Sequence, residues 1–312
     1  MAATIKLSDT INFAQPFVNW ANLSIGTNGE PAITSANLAI QTIIGPPFIW
    51  PWNRSTVSFL TTQGTQDYNT AIADFGYLEG VSIQAAAVIT SVTVLNNVAT
   101  FTALNSFSRL SNGGVGISIT TSGCTTSALN GTFPIVAATA TTFTCNITTG
   151  NVTEAESGAK ALAGPIMPLE LKWDAISEAT EQDRPSFVST HTSDESGTTF
   201  KFRLLPVPDQ TYQVIITYQQ VPTLFTAVSQ TWGIPNQLQY IYSYFFLFLV
   251  LDYFEDARAA RYRQLAIAAL LARQSGLSET DRNLFLGNWL PLVRQEEGAV
   301  SDSQQGRQAR GL

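Results

Sequence analysis

Hydrophobic and polar residues change their spacing twice along the chain, and those changes set the predicted elements. In PAITSANLAIQTIIGPP, Ile33, Ile40 and Ile44 fall on one helical face, Gly45 supplies a stop and Pro46-Pro47 prevents continuation, so a helix is predicted over 33–44. From Ser55 the spacing becomes two. STVSFLTTQGTQDY alternates apolar and polar residues around Gln63-Gly64 and predicts a hairpin. Further strands are predicted at Phe75–Ile83, Leu169–Trp173, Thr198–Leu205 and Tyr212–Gln219, the last two joined by the turn formers of PVPDQ. Past Trp232 the spacing turns helical: Pro235 suits a first helical turn, and Leu238, Tyr242, Phe245 and Leu249 recur at three- and four-residue steps.

With Phe246, Phe248, Val250 and Leu251 added, that helix is apolar nearly all round and predicts enclosure by the core or by neighbouring subunits. Asp252, Glu255 and Asp256 then give way to Arg258, Arg261 and Arg263, with Glu255 and Arg258 spaced as an i,i+3 pair on a solvated face. Ala259, Ala260, Ala266, Ala268, Ala269 and Ala272 allow close approach of another helix. Ser275-Gly276 ends the segment, and Ser278 with Asp281 forms a capping signature for a last short helix toward Trp289. The polar stretch after Arg294 has too few bulky apolar residues to build a core, so 295–312 reads as a flexible tail or an arm that orders on a neighbour.

Between the early and late strands lies a segment of different composition. Arg109 is the only charged residue between Glu79 and Glu154, and β-branched runs such as SVTVLNNVATFTAL and LNGTFPIVAATATTFTC are separated by Asn-Asn, Gly-Gly and Asn-Gly turns. A compact β-sandwich or small barrel is predicted over 84–164. The chain therefore reads as α+β: an antiparallel β body of 1–83 plus 165–312, with strands within 55–83 and 169–219 and helices within 235–290, interrupted by a sandwich-like insert.

Composition narrows the function. Charged residues are only 12% of 312, against about 25% in ordinary soluble domains, which suits a surface in lasting contact with other subunits. The net charge of −7 and pI near 4.7 argue against gripping phosphates, since that affinity comes from Lys and Arg, but suit DNA that must slide past. MAATIKLSDTINF lacks the basic start and apolar core of a secretory signal, and the apolar run Tyr240–Leu251 is far short of the roughly 20 residues that span a bilayer. A soluble protein made in the cytoplasm is expected, in which five Asn-x-Ser/Thr sequons carry no meaning; Cys124 and Cys145, close together in one β-rich region, could face each other across strands, and two buried thiols are expected there in preference to a disulfide.

Candidate chemistry is sparse. His191 is the only histidine and sits in the loop-like VSTHTSDESGTT, where a solvated side chain is the expectation. No GxxxxGK[ST] or GxSxG motif occurs, and Gly113, Gly114 and Gly116 of SNGGVG read as a turn. The acidic pairs Asp194/Glu195 and Glu154/Glu156 are the only candidates for two-carboxylate hydrolysis, and neither has aromatic surroundings in the sequence. Trp50 and Trp52, flanking a proline in FIWPWNRS, are expected to cover an edge of the core rather than stack a ligand. No catalytic, cofactor-binding or metal-binding residue is assigned, no cofactor is expected, and the protein is not read as an enzyme.

The order of elements is informative. The helix ending at IIGPPF, the W-x-W-x-R of WPWNR, the hairpin closing in TTQGTQDY, FKFRLLPVPDQTYQVIITYQQVPTLF and IPNQLQYIYSYFFLFLVLDYFEDARAARYRQL together resemble neck and tail structural proteins of tailed bacteriophages, most of all head-to-tail adaptors. The resemblance implies a homo-oligomeric ring, dodecameric in such adaptors, seated under the portal and above tail or nozzle proteins, continuing a channel for double-stranded DNA without binding it specifically. It implies a virion component of the neck or tail assembled in the host cytoplasm, with no membrane partner. Two other readings stand beside it: a tail-tube or other tail component, and a carbohydrate- or receptor-binding module carried by 84–164.

Overall fold

Leu7, Thr10, Ile11 and Ala14 are buried at three- and four-residue steps, and that stripe folds the first helix, α1 (Leu7–Ala14). The structure, a computed structural model, describes residues 2–18, 24–25, 29–104, 116–172, 181–190, 199–235, 238–274 and 278–286. The predicted tail 295–312 lies outside them. The chain falls into two compact units, Met1–Arg54 with Val221–Leu312, and Ser55–Gln220. Its class is α+β, as the spacing predicts.

The first unit is mainly helical. Strand Ala2–Lys6 pairs antiparallel with Thr231–Pro235 and leads directly into α1. Helix α2 (Ala32–Ile44) carries the predicted face, with Ile33, Ile40 and Ile44 all buried. Gly45 stops it in extended rather than left-handed backbone, and a Cβ there would meet the Gln41 carbonyl oxygen at 2.6 Å. Helices α3 (Gln239–Tyr253) and α4 (Ala259–Arg273) follow, then a short helix at 279–286. Ser278 and Asp281 cap that last helix as expected: the Asp281 N–H donates to the Ser278 hydroxyl at 3.1 Å, and the hydroxyl donates to the Asp281 carboxylate at 2.6 Å.

Pro235 does not open a helix. It ends a strand in which Trp232 and Ile234 are buried while Thr231 and Gly233 are exposed, a period-two pattern completed by the N-terminal strand. Nor does one helix continue through the charge switch. Glu255 takes a left-handed conformation (φ 54°) and the Asp256 N–H donates back to the Leu251 carbonyl, a helix-ending turn. Arg273 at the end of α4 then reaches Tyr240 at the start of α3, its Nε donating to the hydroxyl at 3.2 Å, so the two helices form an antiparallel hairpin. α3 is enclosed, as its all-round apolar sequence predicts, with Ile241, Tyr242, Phe245, Phe246, Phe248 and Leu251 buried among α1, α2 and α4.

The second unit is a β structure organised by two long strands, Phe75–Leu95 and Lys160–Leu171. They pair antiparallel with each other at Ala85–Val88 and again at Val81–Ile83, either side of an irregularity between Ala163 and Met167. From the far half of Phe75–Leu95, pairing passes to Val98–Ala103, Thr142–Asn146, Gly131–Ala138, Ser118–Ser122 and back to Lys160–Leu171. The order returns to its starting pair, so these strands close a six-stranded barrel rather than a sandwich. Inward alternation puts Val92, Val94, Ala99, Phe101, Ile119, Ile135, Phe143 and Cys145 in one core. The predicted turn at Asn96-Asn97 is present, both residues having positive φ (51° and 63°).

The near half of the same two strands carries the remaining strands. Tyr212–Gln220 pairs with Phe75–Leu95, and Arg54–Leu60 follows it. On the other side Phe187–Thr190 pairs parallel with Lys160–Leu171, followed by Thr199–Leu205 and Asp67–Ala71. Arg54–Leu60 and Asp67–Ala71, predicted as a hairpin, thus stand at opposite ends of the pairing order. The connecting loop binds elsewhere: the Thr61 N–H donates to the Tyr212 carbonyl and the Gly64 N–H to the Pro208 carbonyl. The two strands meet through side chains, with Phe59 5.9 Å from Tyr68 and 5.5 Å from Phe202 between ring centres. The two compact units divide at 54/55 and 220/221, and the strands Phe75–Leu95 and Lys160–Leu171 extend across the predicted insert bounds at 83/84 and 164/165.

Candidate interaction surfaces

The residues singled out for chemistry separate. His191, Asp194, Glu195, Gly113 and Gly114 lie outside the described residues, while Gly116 occupies a left-handed turn position (φ 88°) with open space around it. Glu154 and Glu156 serve the fold: Glu156 accepts from the Thr125 N–H at 3.1 Å and its hydroxyl at 3.0 Å, and Glu154 accepts from the N–H and hydroxyl of Thr126. Both carboxylates therefore hold the turn after Gly123. Trp50 is buried with its indole N–H donating to the Ile43 carbonyl at 2.7 Å, and Trp52 bridges it to Trp232. The pair covers an edge of the helical core, as predicted.

Cys124 and Cys145 are free, buried thiols. Burial pushes both up to about 11, helped at Cys124 by the Glu156 and Glu154 carboxylates. At pH 8 both are expected to resist a thiol-titrating disulfide reagent in the folded protein and to react fully in denaturant; rapid modification of the native chain would contradict their placement.

Among the described residues no group of three or more His, Cys, Asp and Glu is placed to hold a metal, and no helix is long and apolar enough to cross a membrane. A cavity of about 170 Å³ in the β unit is lined by Ala85, Met167, Arg184, Asp209 and Tyr212. Its tyrosine hydroxyl donates to Asp209 at 2.6 Å, and burial followed by that bond raises the phenol's pKa. This is a neutral phenol fixed as a donor, not a base.

Larger openings occur in the helical unit. A groove of about 390 Å³ between α1 and α3 is lined by Asp9, Thr10, Phe13, Gln239, Tyr240, Ser243 and Tyr244. Along it runs a chain of rings: Phe13 to Phe17 at 6.2 Å, Phe17 to Tyr262 at 5.6 Å, Tyr262 to Tyr244 at 6.5 Å and Tyr244 to Tyr240 at 6.1 Å. Phe13 is 41% exposed and Tyr240 38%. The exposed rings lie at the two ends of the row and Phe17, Tyr262 and Tyr244 are half-buried between them, an aromatic edge whose composition suits protein contact better than chemistry. Sequence reasoning missed it because α1 was not predicted, although Leu7 and Ile11 already carry the i,i+4 spacing that could have revealed the helix.

The α3–α4 turn borders this surface. Asp256 accepts from the Arg258 backbone N–H at 2.9 Å and from its guanidinium at 2.6 Å, while the guanidinium also donates to the Phe17 carbonyl at 3.0 Å. Arg258 is thus clamped to Asp256 rather than paired with Glu255 across a helical turn, because the helix ends before it. The guanidinium bonds first, then the backbone N–H, hold the Asp256 carboxyl down at about 2. A carboxylate depressed below its unfolded value near 3.9 stabilises the fold above that value and loses its contribution as pH falls. The melting temperature of Asp256→Asn is therefore expected to lie below wild type at pH 7, with the gap narrowing from pH 4 to pH 2; a gap independent of pH would contradict the clamp.

No curated protein matches the chain. The model of the SU10 adaptor protein family matches residues 17–284, and the chain belongs to that family of phage head-to-tail adaptors.

Proposed function

We propose that this phage adaptor assembles as a closed homo-oligomeric ring, dodecameric in number, that joins the portal to the tail and surrounds the path of double-stranded DNA. The observation that carries the reading is the extent of the family match, which runs through both compact units and so includes the helical hairpin as well as the barrel. Charge supports it: a chain of net −7 repels a polyanion and lets it pass, and a sequence with only 12% charged residues favours packing against copies of itself and other virion proteins. The 84–164 barrel, with Arg109 its lone charge between Glu79 and Glu154, faces outward in this arrangement.

Native mass spectrometry of the purified chain, alone and with its portal, tests the assembly. The expected result is one discrete species of about twelve chain masses. A chain that stays monomeric in both conditions overturns the ring, and a polymer of variable length would replace it with a tail-tube role.

A further inference from the structure

Among the described residues nothing fills the aromatic groove, and a face of suitable shape and charge lies on another helix of the same unit. Asp9 is the only acidic or basic residue among the described residues lining the groove. Arg273 stands at its Tyr240 end, already engaged with that ring and hydroxyl. One turn along α1 from Asp9 is Phe13, exposed at the rim. On α4, Arg261, Leu265, Ala268 and Ala272 are all exposed and recur at four-, three- and four-residue steps, forming one narrow face. Leu265 is 41% exposed, and the alanines beyond it leave little bulk to prevent the helix from entering a groove.

We infer that the α4 face of one copy docks in the α1–α3 groove of the next, with Arg261 against Asp9 and Leu265 against Phe13. The spacing matches on both sides, since Asp9 to Phe13 and Arg261 to Leu265 are each four residues, about 6 Å of helix rise. The occupant is a second copy rather than the same chain because α4 buries its opposite side, Ala259, Arg263, Ala266 and Leu270, in its own unit and turns the Arg261–Leu265 face away from α3. Groove and helix face are different patches, so the contact is head-to-tail and propagates to a third copy until rotation closes it. This inference rests on the ring reading and names the surface that would build it.

Reversal of the charges tests it. Asp9→Arg and Arg261→Asp are each expected to raise the concentration needed for assembly by at least about tenfold, because like charges then oppose each other at the contact. The double reversal is expected to restore assembly, which a purely structural role of either residue would not allow. Should Asp9→Arg fail to fold, Phe13→Cys combined with Leu265→Cys provides the second test. Oxidation is expected to give a covalent ladder beyond the dimer while the native cysteines stay buried. If wild type assembles and neither single reversal weakens it, or if the cysteine pair gives no ladder, this pairing is wrong and the ring stands. If wild type never assembles, ring and pairing fail together.

Discussion

Phe245→Ala is expected to destabilise the helical unit by about 3–5 kcal/mol, the range for removing a fully buried phenylalanine and leaving its cavity. Phe245 is 0% exposed at the centre of α3, a helix enclosed by α1, α2 and α4 and unable to collapse into the gap without moving all three. Helices of about 15 residues have little stability of their own in water, so α3 depends on this enclosure. Far-ultraviolet circular dichroism at 222 nm during denaturant unfolding measures it. Loss of the helical signal at clearly lower denaturant is the expected outcome, and a midpoint unchanged from wild type would show that α3 is not the centre of this core.

Phe143→Ala should produce a comparable loss in the β unit. Phe143 and Phe101 occupy directly opposed positions on paired strands, both 0% exposed, with ring centres 4.7 Å apart and planes within 8°. The truncation removes the buried surface of one ring and the stacking between two, a combined cost of about 3–5 kcal/mol. A closed barrel has no free edge along which strands can shift to refill the space, so the cavity persists. Calorimetry of the two proteins side by side decides the matter: a transition lowered by many degrees is expected, and coincident transitions would contradict the shared core.

How far the sequence carried the fold depended on whether an element's pattern was local. α2 was legible because Ile33, Ile40 and Ile44 share a face and Gly45-Pro46 closes it. The enclosed α3 was legible because few polar residues interrupt Tyr240–Leu251. Strand pairing was not legible, since alternation reveals a strand but not its neighbour: Arg54–Leu60 and Asp67–Ala71 look like a hairpin, yet their loop bonds to Pro208 and Tyr212, more than 140 positions away. The barrel's closure was hidden for the same reason, because Phe75–Leu95 is a single strand of 21 residues that serves two sets of partners. Pro235 was misplaced because its strand partner, Ala2–Lys6, lies at the other end of the chain.

The groove and the α4 face proposed to meet were only partly readable. The alanine positions of α4 stood out in the sequence as allowing close approach of another helix, while the charged residues before and among them read as a solvated face. The groove did not stand out, since it exists only where α1 lies beside α3 and sets Phe13 near residues more than 220 positions on. Its acid, Asp9, sits in the first turn of α1, a helix the sequence did not predict. The Asp256–Arg258 clamp was hidden too, because the charge run suggests a continuous helix and only the left-handed Glu255 breaks it.

The central claim, that this chain is a ring-forming adaptor at the junction of head and tail, is tested most directly by cryo-electron microscopy of the intact phage particle with the chain labelled near its C-terminus. A closed ring of label at the neck, between portal and tail, is the predicted result. Label along the tail tube, at the distal tip or on fibres would contradict the adaptor position, and particles without label would contradict a place in the virion.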